Sequence, residues 1–143
     1  MSDTMRKNLL KEFRDRDFIR VCRSLMDAPD RSGITSLKGL AAAALSCGAP
    51  RYYVDIDFAY NTILRMRLTG ELPQRKKSRD MWLEIYSKVM AVKESRGMSL
   101  IRAVTEVIVR EPASGFFIEH STAVRNIKDY NRANKTTKFQ FNQ

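Results

Sequence analysis

The chain has 143 residues, 43% apolar and 29% charged, and carries a formal net charge of +10. That composition excludes a disordered chain and suffices for one ordinary core, or for two small ones sharing an interface. No apolar run approaches the roughly 18–20 residues of a membrane span, and residues 1–7 lack an apolar signal core, so a cytoplasmic protein with no membrane attachment is expected.

Leu9, Leu10 and Phe13 come first, out of phase with Phe18, Val21 and Leu25 by more than about 100° on a helical wheel. The run Arg14-Asp15-Arg16-Asp17 separates the two sets, so residues 1–15 are expected to form an N-terminal arm. A first helix is predicted on Phe18, Val21, Cys22 and Leu25. A second follows on Leu37, Leu40, Ala41, Ala44 and Leu45, spaced as a single buried stripe. Ser36 stands where a hydroxyl caps the first turn, and Gly48 stands beyond the end. Tyr52-Tyr53-Val54, three consecutive β-forming residues beside Pro50, reads as a short extended segment. The third helix starts near Asp55 or Asp57, turns Ile56, Ala59, Tyr60 and Ile63 inward, and closes at Gly70.

The same order then returns. Ala-Pro-Arg-Tyr-Tyr-Val-Asp at 49–55 is matched by Ala-Ser-Gly-Phe-Phe-Ile-Glu at 113–119, 64 residues later. The same spacing sets Phe18 on Trp82, Val21 on Ile85, Ala59 on Ala123 and Ile63 on Ile127, while Ser36-Leu37 matches Ser99-Leu100 at a spacing of 63. A fixed period of this kind makes each copy one supersecondary unit. The expected fold is all-α: two similar three-helix units, at 16–70 and 78–130, joined by a basic linker at 71–77 and followed by a flexible basic tail at 131–143. In the second copy Ser78 is the expected cap and Gly97 the stop of the first helix. Leu100, Ala103, Val104, Val107 and Ile108 carry the second, between Ser99 and Pro112. The third begins near Glu119 or Ser121 and buries Ala123, Val124 and Ile127. The two aromatic segments either pair as a ribbon or pack separately; the second is favoured, since a two-stranded ribbon is marginal alone.

Catalytic chemistry finds few parts. His120 is the only histidine, and its place at a helix start points to a structural role. Asp55 and Asp57 read as caps rather than a metal pair, and there is no glycine-rich phosphate loop. Cys22 and Cys47 are isolated on apolar patterns and are expected to be buried and reduced. No enzyme activity, cofactor or metal is expected.

The charge surplus points instead to a polyanionic partner. Arg65, Arg67, Arg75, Lys76, Lys77 and Arg79 face Glu71 alone over residues 65–79, and Arg125, Lys128, Arg132, Lys135 and Lys138 face only Asp129 from residue 121 onward. Three helices per unit, with a capped third, are the parts of a helix-turn-helix, although a connection of about eight residues before the third exceeds the usual three or four. Asn61 and Arg65 on one third helix, and Arg125, Asn126 and Arg132 on the other, suit base edges or phosphates. Lys128 lies on the same helix. A solvated helix face accounts for each of these residues singly. Arg51 either contacts the partner or lays its stem over Tyr52 or Tyr53 as a stacked cation. Nucleic acid, duplex DNA above all, is the expected partner, in a regulatory or architectural role.

Ala49-Pro50-Arg51-Tyr52-Tyr53-Val54-Asp55, with Ala59 downstream and Arg79-Asp80-Met81-Trp82 beyond, resembles a set of small bacterial or phage proteins. Those carry a Pro-x-Arg-[Phe/Tyr]-Tyr-Val segment, a helix, and then an Arg-x-Met-[Tyr/Trp] helix. The resemblance spans roughly residues 16–128, and the second copy departs from it at Ser114 and Gly115. It implies a fold and a bacterial or phage origin, and no activity. The alternative function is a helical protein–protein adaptor or virion component, binding a protein partner or a second copy through the repeated aromatic segments.

Overall fold

The computed structural model describes residues 2–29 and 33–141. Among these it is all-helical and contains no strand: α1 (Asp3–Asp27), α2 (Leu37–Leu45), α3 (Ile56–Thr69), α4 (Lys76–Arg96), α5 (Leu100–Arg110) and α6 (His120–Ala133). The local signals act where their chemistry requires. Ser36 accepts from the Gly39 amide at 3.0 Å and Ser99 from the Arg102 amide at 3.4 Å, so each hydroxyl satisfies a donor that α2 or α5 leaves free. Asp55 caps α3 through the Phe58 amide at 3.2 Å. Gly70 and Gly97 end α3 and α4 in the left-handed conformation, at φ of 72° and 61°, which costs a residue without a Cβ nothing.

Two expectations need correction. Residues 1–15 are not a separate arm, because α1 runs unbroken through the charged run. Arg14–Asp15 (3.0 Å), Arg16–Asp17 (3.7 Å) and Arg20–Asp17 (3.5 Å) pair along the helix instead of interrupting it. Ser78 is not the cap of α4 either. The helix begins at Lys76 with Arg75 at the cap position, and no side chain bonds to its free amides. Part of the expected linker is therefore the first turn of a helix.

The chain divides into two compact units. One comprises residues 1–11 and 50–113, and so holds the start of α1 with α3, α4 and α5. The other comprises residues 12–49 and 114–143, and holds the rest of α1 with α2 and α6. The phase change in α1 follows from this division for Leu9 and Leu10, while Phe13 already belongs to the second unit. Leu9 and Leu10 lie on the part that belongs to the first unit, whereas Phe18, Cys22 and Met26 are buried within the second.

In the α3–α5 unit, α5 packs on both α3 and α4; Ala103, Val104, Val107 and Ile108 on α5 are buried, as are Ile63 on α3 and Ile85 and Val89 on α4. Each valine or isoleucine side chain among them removed from water contributes roughly 1.5–3 kcal/mol. In the α2–α6 unit, α2 packs on α6 around Leu40, Ala44, Ala123 and Ile127, and Phe116 meets Phe18 edge-on at 5.4 Å. Asn126 on α6 donates to Asp15 on α1 at 3.0 Å, and His120 Nε2 lies 3.2 Å from the Lys38 carbonyl oxygen.

The aromatic segments are neither strands nor solvent-exposed. Tyr52 is 1% exposed, Phe116 4% and Ile118 7%, while Tyr53, Val54 and Phe117 are half-buried. Phe117 has a φ of 55°, a left-handed conformation that a regular strand does not contain. Tyr52 donates its hydroxyl to Glu84, beneath Lys88, whose ammonium lies 5.1 Å from the ring centre and donates to the Pro112 carbonyl at 2.6 Å. The two thiols differ as well: Cys22 is buried and Cys47 half-buried.

Candidate nucleic-acid interface

The first basic cluster belongs to the α3–α5 unit. Arg65 and Arg67 occupy the last two turns of α3; Arg75, Lys76, Lys77 and Arg79 cap and begin α4. All six are exposed, and none forms an ion pair with another described residue. Arg65 shares a surface hollow of about 360 Å³ with Leu72, Pro73, Ser78 and Trp82, so the end of α3 faces the start of α4 across the connection. The floor of this hollow is aromatic, with the Phe58 and Trp82 rings 5.9 Å apart.

The α4 start is an unusual electrostatic arrangement. A helix N-terminus carries a partial positive charge and amides without intrahelical partners, and acidic residues normally answer both. Here the first turn contains Lys76 and Lys77 with no acid, and the cap residue is an arginine. Each cation placed there costs about 0.3–1 kcal/mol, which a bound anion offsets.

Arg51 stands apart. It is half-buried, its guanidinium lies 5.8 Å from the centre of the Tyr53 ring, and its Nε donates to the Tyr52 carbonyl at 3.3 Å. That is the stacked-cation alternative. Asn61 is exposed on α3 beside Arg6, Lys7, Asp55 and Asp57, where Arg6 bonds the cap carboxylate of Asp55 at 3.4 Å.

The remaining expected residues lie on α6 in the other unit. Arg125, Lys128 and Arg132 are exposed; Arg132 pairs with Asp129 at 3.4 Å, and Arg125 and Lys128 form no ion pair with a described residue. Asn126 is committed to Asp15 and helps hold α6 against α1.

The chain beyond α6 is not the free tail expected for 131–143. Residues 131–133 complete the helix, Asn142 and Gln143 lie outside the described residues, and 134–141 fold back onto α6. Phe139, 4% exposed, lies with its ring 5.3 Å from that of Tyr130 and 4.2 Å from the Arg23 guanidinium. Arg23 also donates to the Thr137 carbonyl and, at 3.5 Å, to the Tyr130 hydroxyl. Bonds to Thr137 and then to Arg23 lower the pKa of that hydroxyl. Arg23 carries no distinguishing mark in the sequence, since nothing local joins it to Tyr130 and Thr137, over 100 positions away; Asn131 carries none either, although its partner Phe139 is only eight residues on.

No group of histidines, cysteines and carboxylates among the described residues could hold a metal ion, and no described helix is long and apolar enough to cross a membrane. No family model, curated protein or solved structure matches the chain.

Proposed function

We propose that the chain is a nucleic-acid-binding protein, with duplex DNA its favoured partner and a regulatory or architectural role, built by internal duplication of a three-helix unit. The observation that carries this reading is the group of six exposed cations, none ion-paired among the described residues, spanning the end of α3 and the uncapped start of α4. Isolated surface charges say little, but a like-charged cluster repels itself and creates a field that a polyphosphate relieves.

The duplication is supported by the helix ends. α3 (56–69) and α6 (120–133) each contain 14 residues and are offset by 64 at both termini, the sequence period. In this reading the copies have exchanged their third helices: α3 belongs with α4 and α5, and α6 with α2 and the latter part of α1. The helix-turn-helix parts are then assembled across copies rather than along the chain, which accommodates the long connections 46–55 and 111–119. The bacterial or phage origin implied by the Pro50–Val54 segment belongs to the same proposal.

The test is fluorescence anisotropy with duplex DNA, single-stranded DNA and RNA from about 50 to 200 mM salt, where neutralising 6–10 phosphates predicts a loss of roughly 10³–10⁵ in affinity. Arg75→Glu, Lys76→Glu and Lys77→Glu together should weaken binding and flatten its salt dependence. Unchanged binding would remove the α4 start from the interface.

A second reading, the protein adaptor or virion component, draws on a different feature. Among the described residues the large exposed apolar side chains lie on the α3–α5 unit, including Leu68 (74%), Val109 (62%), Met5 (56%) and Phe58 (53%). Scattered apolar exposure is ordinary, but its confinement to one unit favours a protein contact there. Concentration-dependent self-association in light scattering, abolished by Leu68→Glu with Val109→Glu, would support it.

A further inference from the structure

Asn131 holds the returning tail with both ends of its amide. Its Oδ1 accepts from the Phe139 amide at 2.7 Å, and its Nδ2 donates to the Phe139 carbonyl at 3.2 Å. One side chain thereby supplies the donor–acceptor pair that a neighbouring strand would give. Arg23 lies over the ring of the same residue, and Asn134 bonds the Tyr130 carbonyl at 2.9 Å. Lys135 and Lys138 are thus attached to a segment secured at Thr137 and Phe139, although both side chains are exposed.

Between α6 and this segment runs a shallow, open groove of about 550 Å³, lined by Lys128, Arg132, Lys135 and Lys138 with Phe139 and Phe141. Among the described residues no carboxylate lines it; the adjacent Asp129 is turned to Arg132 at 3.4 Å. Four cations along an open groove suit a charged chain passing through it rather than an enclosed small molecule.

We infer that this groove binds the phosphate backbone of a nucleic acid, with Asn131 and Arg23 as positioning residues that hold the tail lysines in place before the ligand arrives. The inference rests on the nucleic-acid reading and adds a second site to it, in the α2–α6 unit. A tail free in solution would have to be ordered on binding, and the hook removes that cost.

The experiment uses the full chain, with a duplex of about 20 base pairs and a single strand of equal length, across the same salt range. Lys135→Gln with Lys138→Gln should lower the slope of log K against log salt by about 1.8 on duplex, the value of two phosphate contacts. Asn131→Ala changes no charge, yet should weaken binding about tenfold as the tail becomes disordered. Faster hydrogen exchange at the Phe139 amide reports that release; if the amide stays protected, Arg23→Ala with Asn131→Ala removes both holds. Wild-type affinity and slope in the lysine variant, with binding weakened by Arg75→Gln, Lys76→Gln and Lys77→Gln, would overturn the groove and leave the nucleic-acid reading standing. A released tail with undiminished affinity would overturn the role of the hook. No salt-dependent binding by the wild type would overturn the underlying reading itself.

Discussion

Cys22 lies fully buried in the α2–α6 unit, and burial, reinforced by nearby Cys47, pushes its thiol from 9.0 up to about 12. Thiolate is the reactive form, so the native protein should show one accessible thiol, Cys47, to an aromatic disulfide reagent at neutral pH, and two after unfolding. The same shift makes a stability prediction. A folded-state pKa above the unfolded one contributes stability that is complete below pH 9.0 and is lost as pH rises toward 12, because the unfolded chain ionises first. Urea midpoints should therefore fall from about pH 9 upward, and Cys22→Ala should flatten the early part of that fall. Tyr52 acts in the same direction at higher pH, raised first by burial and then by its bond to Glu84. Tyr52→Phe should cost about 1.5–3 kcal/mol, the range for a lost bond to a charged partner, read from the same urea curves.

Among the elements, α2 and α5 end their sequence-level argument where it began, at their serines. Ser36→Ala and Ser99→Ala should each lower unfolding free energy by about 1 kcal/mol, because a hydroxyl replaced by a methyl leaves a first-turn amide without its partner. The start of α4 offers a contrast. Lys76→Glu with Lys77→Glu complements the helix dipole and should stabilise the protein by about 0.3–1 kcal/mol per site. The same double variant should bind nucleic acid more weakly, so a raised melting temperature and a reduced affinity appear together. All of these helix starts are local features, yet the serine caps of α2 and α5 are legible in the sequence and the start of α4 is not. A serine at 78 resembled the cap of α4 because capping rules cannot register a helix whose first turn breaks them.

For the whole molecule, the assignment of segments to units has a direct consequence. Each unit draws on residues both before and after the connection between α3 and α4. A protease site placed at exposed residues 71–72 and cut should leave fragments that remain associated and elute near the intact 16.5 kDa in native buffer. Two domains arranged serially along the chain would separate into halves. Fragments that part without denaturant would refute the division of the chain described here.

The helical content, the buried stripes of α2 and α5, the caps at Ser36, Ser99 and Asp55 and the stops at Gly70 and Gly97 could all be read from residues in order. Each depends on interactions within one or two turns, which spacing and residue type record. The basic clusters were legible too, as composition along a segment. The continuity of α1, the fold-back of residues 134–141 and the hook from Asn131 to Phe139 were not. The hook spans only eight residues, but no spacing rule marks a side-chain amide that bonds one backbone residue twice. The continuity of α1 and the anchoring of the fold-back by Arg23 depend on which distant segment supplies the neighbouring surface, and a chain written in one dimension does not carry that information. In α1 it inverted the natural inference: a change of hydrophobic phase resembled the end of a helix, whereas the helix continues and only its partners change.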